Sequence, residues 1–407
     1  MTLKGRVLQS VTVLGALLLI VAGCSRDEGG GGEAEATKTV KIGVVAPLTG
    51  PLSELGLGIK NSVDLAVRQA NEKKTIPGYT IVMAAEDDTA DPATGANAAN
   101  KLSSDAAVGG VVGTLNSSVA QSVAPVLAKA DIAQISPANT ADEVTRGPDF
   151  KTAPKRIWNT YHRVATLDSL QGPFAADYVL GEAGFKTAVV IHDKKTYGQG
   201  LARAFTERFT SNGGKVVFTE TVNENDRDFG AVVTKVNGAK PDMVFYGGEY
   251  PAAGPLAAQL KDRGFKGPLM GGDGVFSSDF FKGAGDKADG TLVTSIGAPV
   301  AKLESAKQFV SDYEAAGFKE SFGAYGGQSY DATNILIQAM AKVLPNAESV
   351  QAARPDIVKA VNTTSGFQGA TGEHSFDEFG DTSNKALTVY KAEGGDWTDV
   401  FSAEAET

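Results

Sequence analysis

Apolar strand-like stretches alternate with helical patterns along most of this chain, and this alternation constrains the fold more than any other feature. No hairpin signals separate the strands of the first series, so they should lie parallel in a sheet with helices on both faces. The patterns predict strands at 40–46, 79–86, 108–112 and 131–135, with helices at about 58–71, 92–103 and 117–130.

A second series of the same kind follows, and the two together predict an α/β protein made of two doubly wound parallel-sheet units. Residues 38–407 also exceed what one hydrophobic core usually serves. The second series predicts helices at 169–180, 198–212, 229–237 and up to 263, and strands at 187–192, 215–222, 243–246 and 267–270. Helical patterns follow at 303–316, 330–344 and 356–361, and a strand-like stretch lies at about 386–391.

Charge and cysteine content exclude several classes of function. The net charge of −10 argues against a polyanionic partner such as nucleic acid. The chain has one cysteine, at position 24, so the body that follows can form no internal disulfide and no thiolate metal site.

The N-terminus has the composition of an export signal. Lys4 and Arg6 precede a short apolar run, and Val21-Ala22-Gly23-Cys24 resembles the lipobox of bacterial lipoproteins. This predicts a signal peptide over 1–23, lipid on Cys24, a flexible spacer over 24–37, and an extracytoplasmic protein anchored to the membrane. A signal cleaved elsewhere and an uncleaved N-terminal anchor remain alternatives.

Polar side chains collect where the predicted strands end. In doubly wound sheets, ligands bind beyond the carboxyl ends of the strands. Hydroxyls, amides, aromatic rings and acids occur there, without a metal-binding or acid–base constellation, so no cofactor is predicted. The strand-end segments are 47–51, 87–88, 113–118, 136–140, 192–197, 247–250 and 271–274.

These segments resemble the periplasmic binding proteins for branched-chain amino acids, the leucine/isoleucine/valine receptors of ABC importers. The resemblance covers about residues 41–392 and is strongest at 191–202, 246–248, 270–275 and 290–294. It implies the type I fold, in which two lobes joined by a hinge of three chain crossings close on a ligand. The lobes would comprise 38–160 with 298–370, and 161–297 with 371–407.

The resemblance also implies how a bound amino acid would be held. Ser117 and the Thr140 backbone would bind the α-carboxylate, and the Ala138 carbonyl, the Thr140 hydroxyl and Asp273 would meet the α-ammonium. Tyr197 would cover the ligand from the opposite lobe. The remaining predicted ligand-binding residues are Leu55, Leu115, Asn116, Glu249, Tyr250 and Tyr325.

The sequence departs from this family pattern at two aromatic wall positions. Leu55 occupies one, and Glu249, followed by Tyr250, occupies the other. A carboxylate near an aliphatic ligand is costly unless it is paired or hydrated. The departures therefore leave open a larger, polar or cationic ligand, or a pocket into which Tyr250 turns instead.

Each predicted site residue also has an ordinary structural interpretation. Ser117 has the pattern of a helix cap, Thr140 and Asp273 of turn residues, and Tyr197 of a surface aromatic at a helix start. His192 with Asp193 suggests an acid–base pair, but Ser117 lacks a nucleophile-elbow pattern, so a hydrolase is disfavoured.

The combined prediction is a monomeric solute-binding lipoprotein, not an enzyme. It captures an amino acid, with branched-chain ones as the first candidates, and delivers it to an ABC permease. A tethered amino-acid or amide sensor of the same fold is the alternative.

Overall fold

The computed structural model describes residues 37–405, so the predicted signal peptide, Cys24 and nearly all of the spacer lie outside the described part. Its first half forms a sheet in the order β2-β1-β3-β4-β5, in which all neighbours are parallel. The strands are β1 Lys38–Ala46, β2 Tyr79–Asp87, β3 Val108–Gly113, β4 Ala133–Ser136 and β5 Tyr161–Arg163, and the helices are α1 Ser53–Glu72, α2 Pro92–Ser104, α3 Ser117–Lys129 and α4 Glu143–Arg146.

The next part of the chain supplies five strands of a second sheet, again mutually parallel. These strands are β6 Thr187–His192, β7 Lys215–Thr221, β8 Met243–Gly247, β9 Leu269–Gly271 and β10 Leu292–Ile296. The helices of this part are α5 Asp168–Gly181, α6 Thr196–Ser211, α7 Gly230–Ala239, α8 Tyr250–Asp262 and α9 Phe280–Ala284.

The last part of the chain contributes to both sheets. Two of its helices pack on α1, β3 and β4. Its last two strands extend the second sheet: β13 pairs antiparallel with β10, and β14 pairs antiparallel with β13. Its elements are α10 Lys307–Ala315, α11 Gly326–Val343, α12 Val350–Asn362, β11 Phe367–Gly369, β12 Gly372–His374, β13 Ala386–Glu393 and β14 Asp396–Glu404. The second sheet therefore has the order β14-β13-β10-β9-β8-β6-β7.

We call the first sheet with its covering helices lobe 1, and the second sheet with its helices lobe 2. The chain passes between them at 164–167, 297–306 and 363–385. Strand β5 belongs to the first sheet, so the first passage follows residue 163 rather than residue 160, as the sequence had suggested.

The predicted alternation of strands and helices is confirmed, and the differences have local causes. Helix α1 begins at Ser53 rather than near residue 58, because Gly56 belongs to the helix and allows it to approach the preceding loop. A Cβ at Gly56 would lie 1.9 Å from the Pro47 carbonyl oxygen. Strands β5, β10, β11, β12 and β14 were not predicted; β5, β11 and β12 have only three residues each, and β14 alternates on a solvent-exposed edge.

A buried ion pair ties the end of β5, just before the first passage, to the third passage. The Arg163 guanidinium is 0% exposed and donates from Nε to Asp381 Oδ1 at 2.6 Å. The same guanidinium donates to the carbonyls of Asn139 and Ala141, both at 2.9 Å. Arg146 Nε lies 2.8 Å from the other oxygen of Asp381. These contacts fix the 137–141 loop relative to the first and third passages.

We predict that Asp381→Asn destabilises the fold by about 3–5 kcal/mol, because it leaves Arg163 buried without a counter-charge. Burial acts to raise the pKa of Asp381, but Arg163 and Arg146 outweigh it and hold the pKa below its usual range. The stabilisation is therefore complete above the unfolded pKa of about 3.9 and is lost as the pH falls through the folded pKa. Urea unfolding at pH 7 and at pH 3 measures both effects.

The matched control is Glu304→Gln, which breaks the exposed pair with Lys307. It should cost less than about 1 kcal/mol. Equal losses for the two variants would contradict a special role for the buried pair.

Candidate functional site

A narrow cavity lies between the two lobes, at the carboxyl ends of the parallel strands. Nine of the predicted ligand-binding residues line it, and Gly274 joins them. The lining residues are Leu55, Leu115, Asn116, Ser117, Ala138, Tyr197, Glu249, Asp273, Gly274 and Tyr325. The fold thus brings together side chains from seven separate segments of the chain.

The lobe 1 wall is built where β3 ends and α3 begins. Ser117 is the first residue of α3 and is 1% exposed, so the free N–H groups of the first helical turn lie beside the cavity. Its hydroxyl accepts a hydrogen bond from the Ala141 N–H at 3.4 Å. Helix N-termini favour anions, because their N–H groups are unpaired and the helix dipole is positive there.

The loop after β4 places Ala138 on the cavity but not Thr140. Ser136 Oγ accepts from the N–H groups of Ala138 and Asn139 at 3.2 and 2.9 Å, which shapes the turn. Thr140 is fully buried outside the lining, and its carbonyl accepts from the Asp168 N–H at 2.8 Å. Burial raises the pKa of the Asp168 carboxyl well above its usual range, and the Thr140 side chain acts against this rise.

An acidic centre spans the two lobes. Asp273, in the turn that follows β9, is 1% exposed and accepts hydrogen bonds from Tyr197 at 2.8 Å and from Tyr325 at 2.9 Å. Tyr197 belongs to lobe 2, whereas Tyr325 precedes α11 of lobe 1. Burial raises the pKa of Asp273, and the hydrogen bonds from the tyrosines act against this rise. In the described part of the chain, no lysine or arginine forms an ion pair with this carboxylate.

Glu249 enters the cavity, whereas Tyr250 does not. One Glu249 oxygen accepts from Asn116 Nδ2 of lobe 1 at 2.5 Å, and the other lies 3.3 Å from Lys195 Nζ. The Glu249 carboxylate is therefore paired with a cation and hydrogen-bonded. Its burial does not carry the full cost of an unpaired charge. The Tyr250 hydroxyl donates instead to the Pro51 carbonyl across the cleft.

Two contributors to the site were missed in the sequence. A Cβ at Gly274 would lie 2.9 Å from Tyr197 Cε1 and 3.2 Å from Glu249 Cγ, so only glycine lets these side chains close over the turn. Lys195 pairs with Glu249 and also with Glu224, at 2.5 Å. The Gly-Gly-Asp-Gly run at 271–274 could have indicated Gly274, whereas no local pattern indicates that Lys195 pairs with Glu249.

The described residues support neither a metal site nor a membrane-spanning helix. Within 37–405, no group of three or more histidine, cysteine, aspartate or glutamate side chains is placed to hold a metal ion. In the same range, none of the helices combines the length and the apolar character that a bilayer crossing needs.

Comparison with known proteins places the chain in a class. The family model described as periplasmic binding protein matches residues 39–396, and the chain belongs to that family. Its predicted resemblance to the branched-chain amino acid receptors is confirmed, and so is the type I fold.

Individual relatives are similar over nearly their whole length. The Leu/Ile/Val-binding protein homolog 1 of Brucella suis is 33% identical over 365 residues, which is 90% of this chain and 93% of the relative. The leucine-binding protein LivK of Thermotoga maritima is 27% identical with a TM-score of 0.79, covering 90% of this chain and 99% of LivK. The substrate-binding protein LivJ of Streptococcus pneumoniae, solved with isoleucine, is 26% identical with a TM-score of 0.78, covering 89% of this chain and all of LivJ.

The acidic pair that ends β2 has local structural partners. Asp87 accepts from the Leu48 N–H at 2.8 Å and from the Thr89 N–H at 2.9 Å. Asp88 is 0% exposed; one of its oxygens accepts from the Ala90 N–H at 2.9 Å, and the other has no hydrogen-bond partner among the described residues. Burial raises the pKa of Asp88 to about 7.

We predict that Asp88→Asn stabilises the protein by about 1–3 kcal/mol at pH 8 and has little effect near pH 4. The folded pKa lies above the unfolded one, so wild-type stability falls as the pH rises through the interval between them. Thermal unfolding at the two pH values measures the difference. A gain of the same size at both would contradict the assignment.

Proposed function

We propose that this protein is the substrate-binding component of an ABC importer and captures an α-amino acid, with leucine, isoleucine and valine as its ligands. The observation that carries the proposal is the buried Asp273 carboxylate. It faces the interlobe cavity and has tyrosine partners but no cationic one within the described chain. A ligand ammonium would supply the missing positive charge.

The negatively charged carboxylate of an amino-acid ligand has a matching site on lobe 1. Ser117 lines the same cavity as Asp273 and offers a hydroxyl and the N-terminus of a 13-residue helix. A carboxylate bound there would accept charge-assisted hydrogen bonds. An anion site on one wall and an acid on the other favour a zwitterion.

Contacts from both lobes give the ligand a means of favouring the closed form. Ser117 and Tyr325 come from lobe 1, whereas Tyr197 and Asp273 come from lobe 2. A ligand shifts an equilibrium only by its difference in affinity for the two states. A ligand held on both sides binds the closed state more tightly.

The side-chain preference rests on the relatives and on the apolar part of the lining. Leu55, Leu115 and Ala138 offer apolar surface to a ligand side chain. The curated relatives are named for leucine, isoleucine and valine, and LivJ was solved with isoleucine.

The export signal, the lipid on Cys24 and the permease partner complete the proposal. They rest on residues 1–24 and on LivJ, which is described as a branched-chain amino acid transporter substrate-binding protein. A lipid anchor would hold the protein at the outer face of the membrane, where an importer collects its substrate.

The geometry of the histidines does not support a hydrolase. The imidazole of His162 contacts Asn362, that of His374 contacts Thr371 and Thr382, and that of His192 accepts from the Lys194 N–H. None of these contacts involves Ser117.

We predict that the full-length protein binds leucine, isoleucine and valine, and that Asp273→Asn weakens leucine binding by about 3–5 kcal/mol, because it removes one partner of a buried charge pair. Isothermal titration calorimetry at pH 7 measures both. Asp286→Asn, at an exposed position of the same lobe, is the control and should leave the affinity unchanged.

Failure to bind any of the three amino acids would overturn the proposed side-chain class. Unchanged leucine affinity in Asp273→Asn, with the variant folded, would remove the proposed ammonium site.

A further inference from the structure

We propose that Glu249 determines specificity by closing the far end of the amino-acid cavity, so that side chains larger than leucine are rejected. The inference rests on the proposed function, since it concerns the side chain of the same ligand. It depends on a second cavity and on the way in which Glu249 is held.

A second, larger cavity adjoins the first, and Glu249 is the residue common to the two linings. Pro51 and Leu52 of lobe 1 face Tyr246 and Pro251 of lobe 2 across it. Glu249 therefore stands as a partition between a small chamber that contains Asp273 and a larger chamber beyond.

The partition is fixed from both lobes. Asn116 of lobe 1 donates to one carboxylate oxygen, and Lys195 of lobe 2 pairs with the other. Lys195 is held in turn by Glu224 at 2.5 Å. Glu249 itself is 7% exposed. A side chain with both oxygens engaged and little exposure loses these contacts if a ligand displaces it, and that loss disfavours large ligands.

A methylene group of Glu249 faces Gly274 in the turn after β9. Its Cγ lies 3.2 Å from the position of a Cβ at Gly274, the residue that follows Asp273. Because Lys195 pairs with the carboxylate and Asn116 donates a hydrogen bond to it, an aliphatic side chain that meets the partition need not desolvate an unpaired charge.

The chamber beyond the partition has a mixed lining, in which Thr89, Glu224 and Asn225 are polar. Pro51, Leu52, Ala90 and Pro251 give it apolar surface. Tyr246, which is 0% exposed, also lines it, and its hydroxyl has no hydrogen-bond partner among the described residues. Removing the partition would join this space to the amino-acid chamber and admit an aromatic side chain.

The test compares leucine and phenylalanine by isothermal titration calorimetry on the full-length protein. In the wild type, we expect leucine to bind at least about tenfold more tightly than phenylalanine. In Glu249→Ala, the preference should fall by about tenfold or more, because the ring can enter the second chamber. Glu249→Ser also removes the partition and serves if the alanine variant does not fold; we call these two the opening variants. Thermal unfolding checks that each variant is folded.

Two further variants separate volume from charge. Glu249→Gln keeps the size of the partition and should keep the wild-type preference within about threefold. Asp286→Asn removes a carboxylate from an exposed position of lobe 2 that lines neither chamber, so it should keep the preference as well.

The inference is overturned if wild-type protein binds phenylalanine as tightly as leucine, or if folded opening variants retain the preference. It is also overturned if Glu249→Gln loses the preference as fully as Glu249→Ala, since charge would then be the determinant. Wild-type binding of leucine in any of these cases leaves the proposed function intact. Absence of binding to all amino acids would overturn both.

Discussion

The Asp273 carboxylate, buried between Tyr197 and Tyr325, is the interaction around which the interlobe site is organised. An acid at 1% exposure is costly, and two tyrosine hydroxyls offset only part of that cost. Because the two tyrosines come from different lobes, the same hydrogen bonds that satisfy the acid also join the lobes. A cation placed there would gain a partner that the described chain does not supply, which is why the proposed ligand is an amino acid and not a neutral or purely anionic solute.

The two parallel sheets explain why such a centre can exist between the lobes. Parallel strands send all their carboxyl ends to one edge, so the loops after β3, β4, β6, β8 and β9 converge on the same space. The passages between the lobes must then hold these edges face to face. The Arg163–Asp381 pair contributes to this, because the Arg163 guanidinium also binds two carbonyls of the loop that carries Ala138. Hinge and site are thus connected through one buried side chain.

The effect of Glu249 on ligand selectivity depends on the contacts that its side chain makes, and not only on its being an acid. Glu249 looked incompatible with an aliphatic ligand, but Asn116 and Lys195 occupy its oxygens and leave a methylene group near the Asp273 turn. Its side chain then acts as a wall, and the chamber behind it explains how a single position can limit ligand size. Tyr250, the neighbouring aromatic, joins the lobes through Pro51 instead of entering the cavity.

The sequence by itself determined the α/β class, the order of most elements and the strand ends at which the site forms. These depend on local periodicity and on the rule that ligands bind beyond the carboxyl ends of parallel strands. Family resemblance added the residues at those ends, and all but Thr140 and Tyr250 line one cavity. Only the tertiary structure decided that Glu249 is paired, that Lys195 supports it and that the antiparallel strands β13 and β14 complete the second sheet. Those features arise from contacts between segments far apart in the chain, such as Asn116 with Glu249, and no local pattern encodes which distant side chain will neutralise a buried charge.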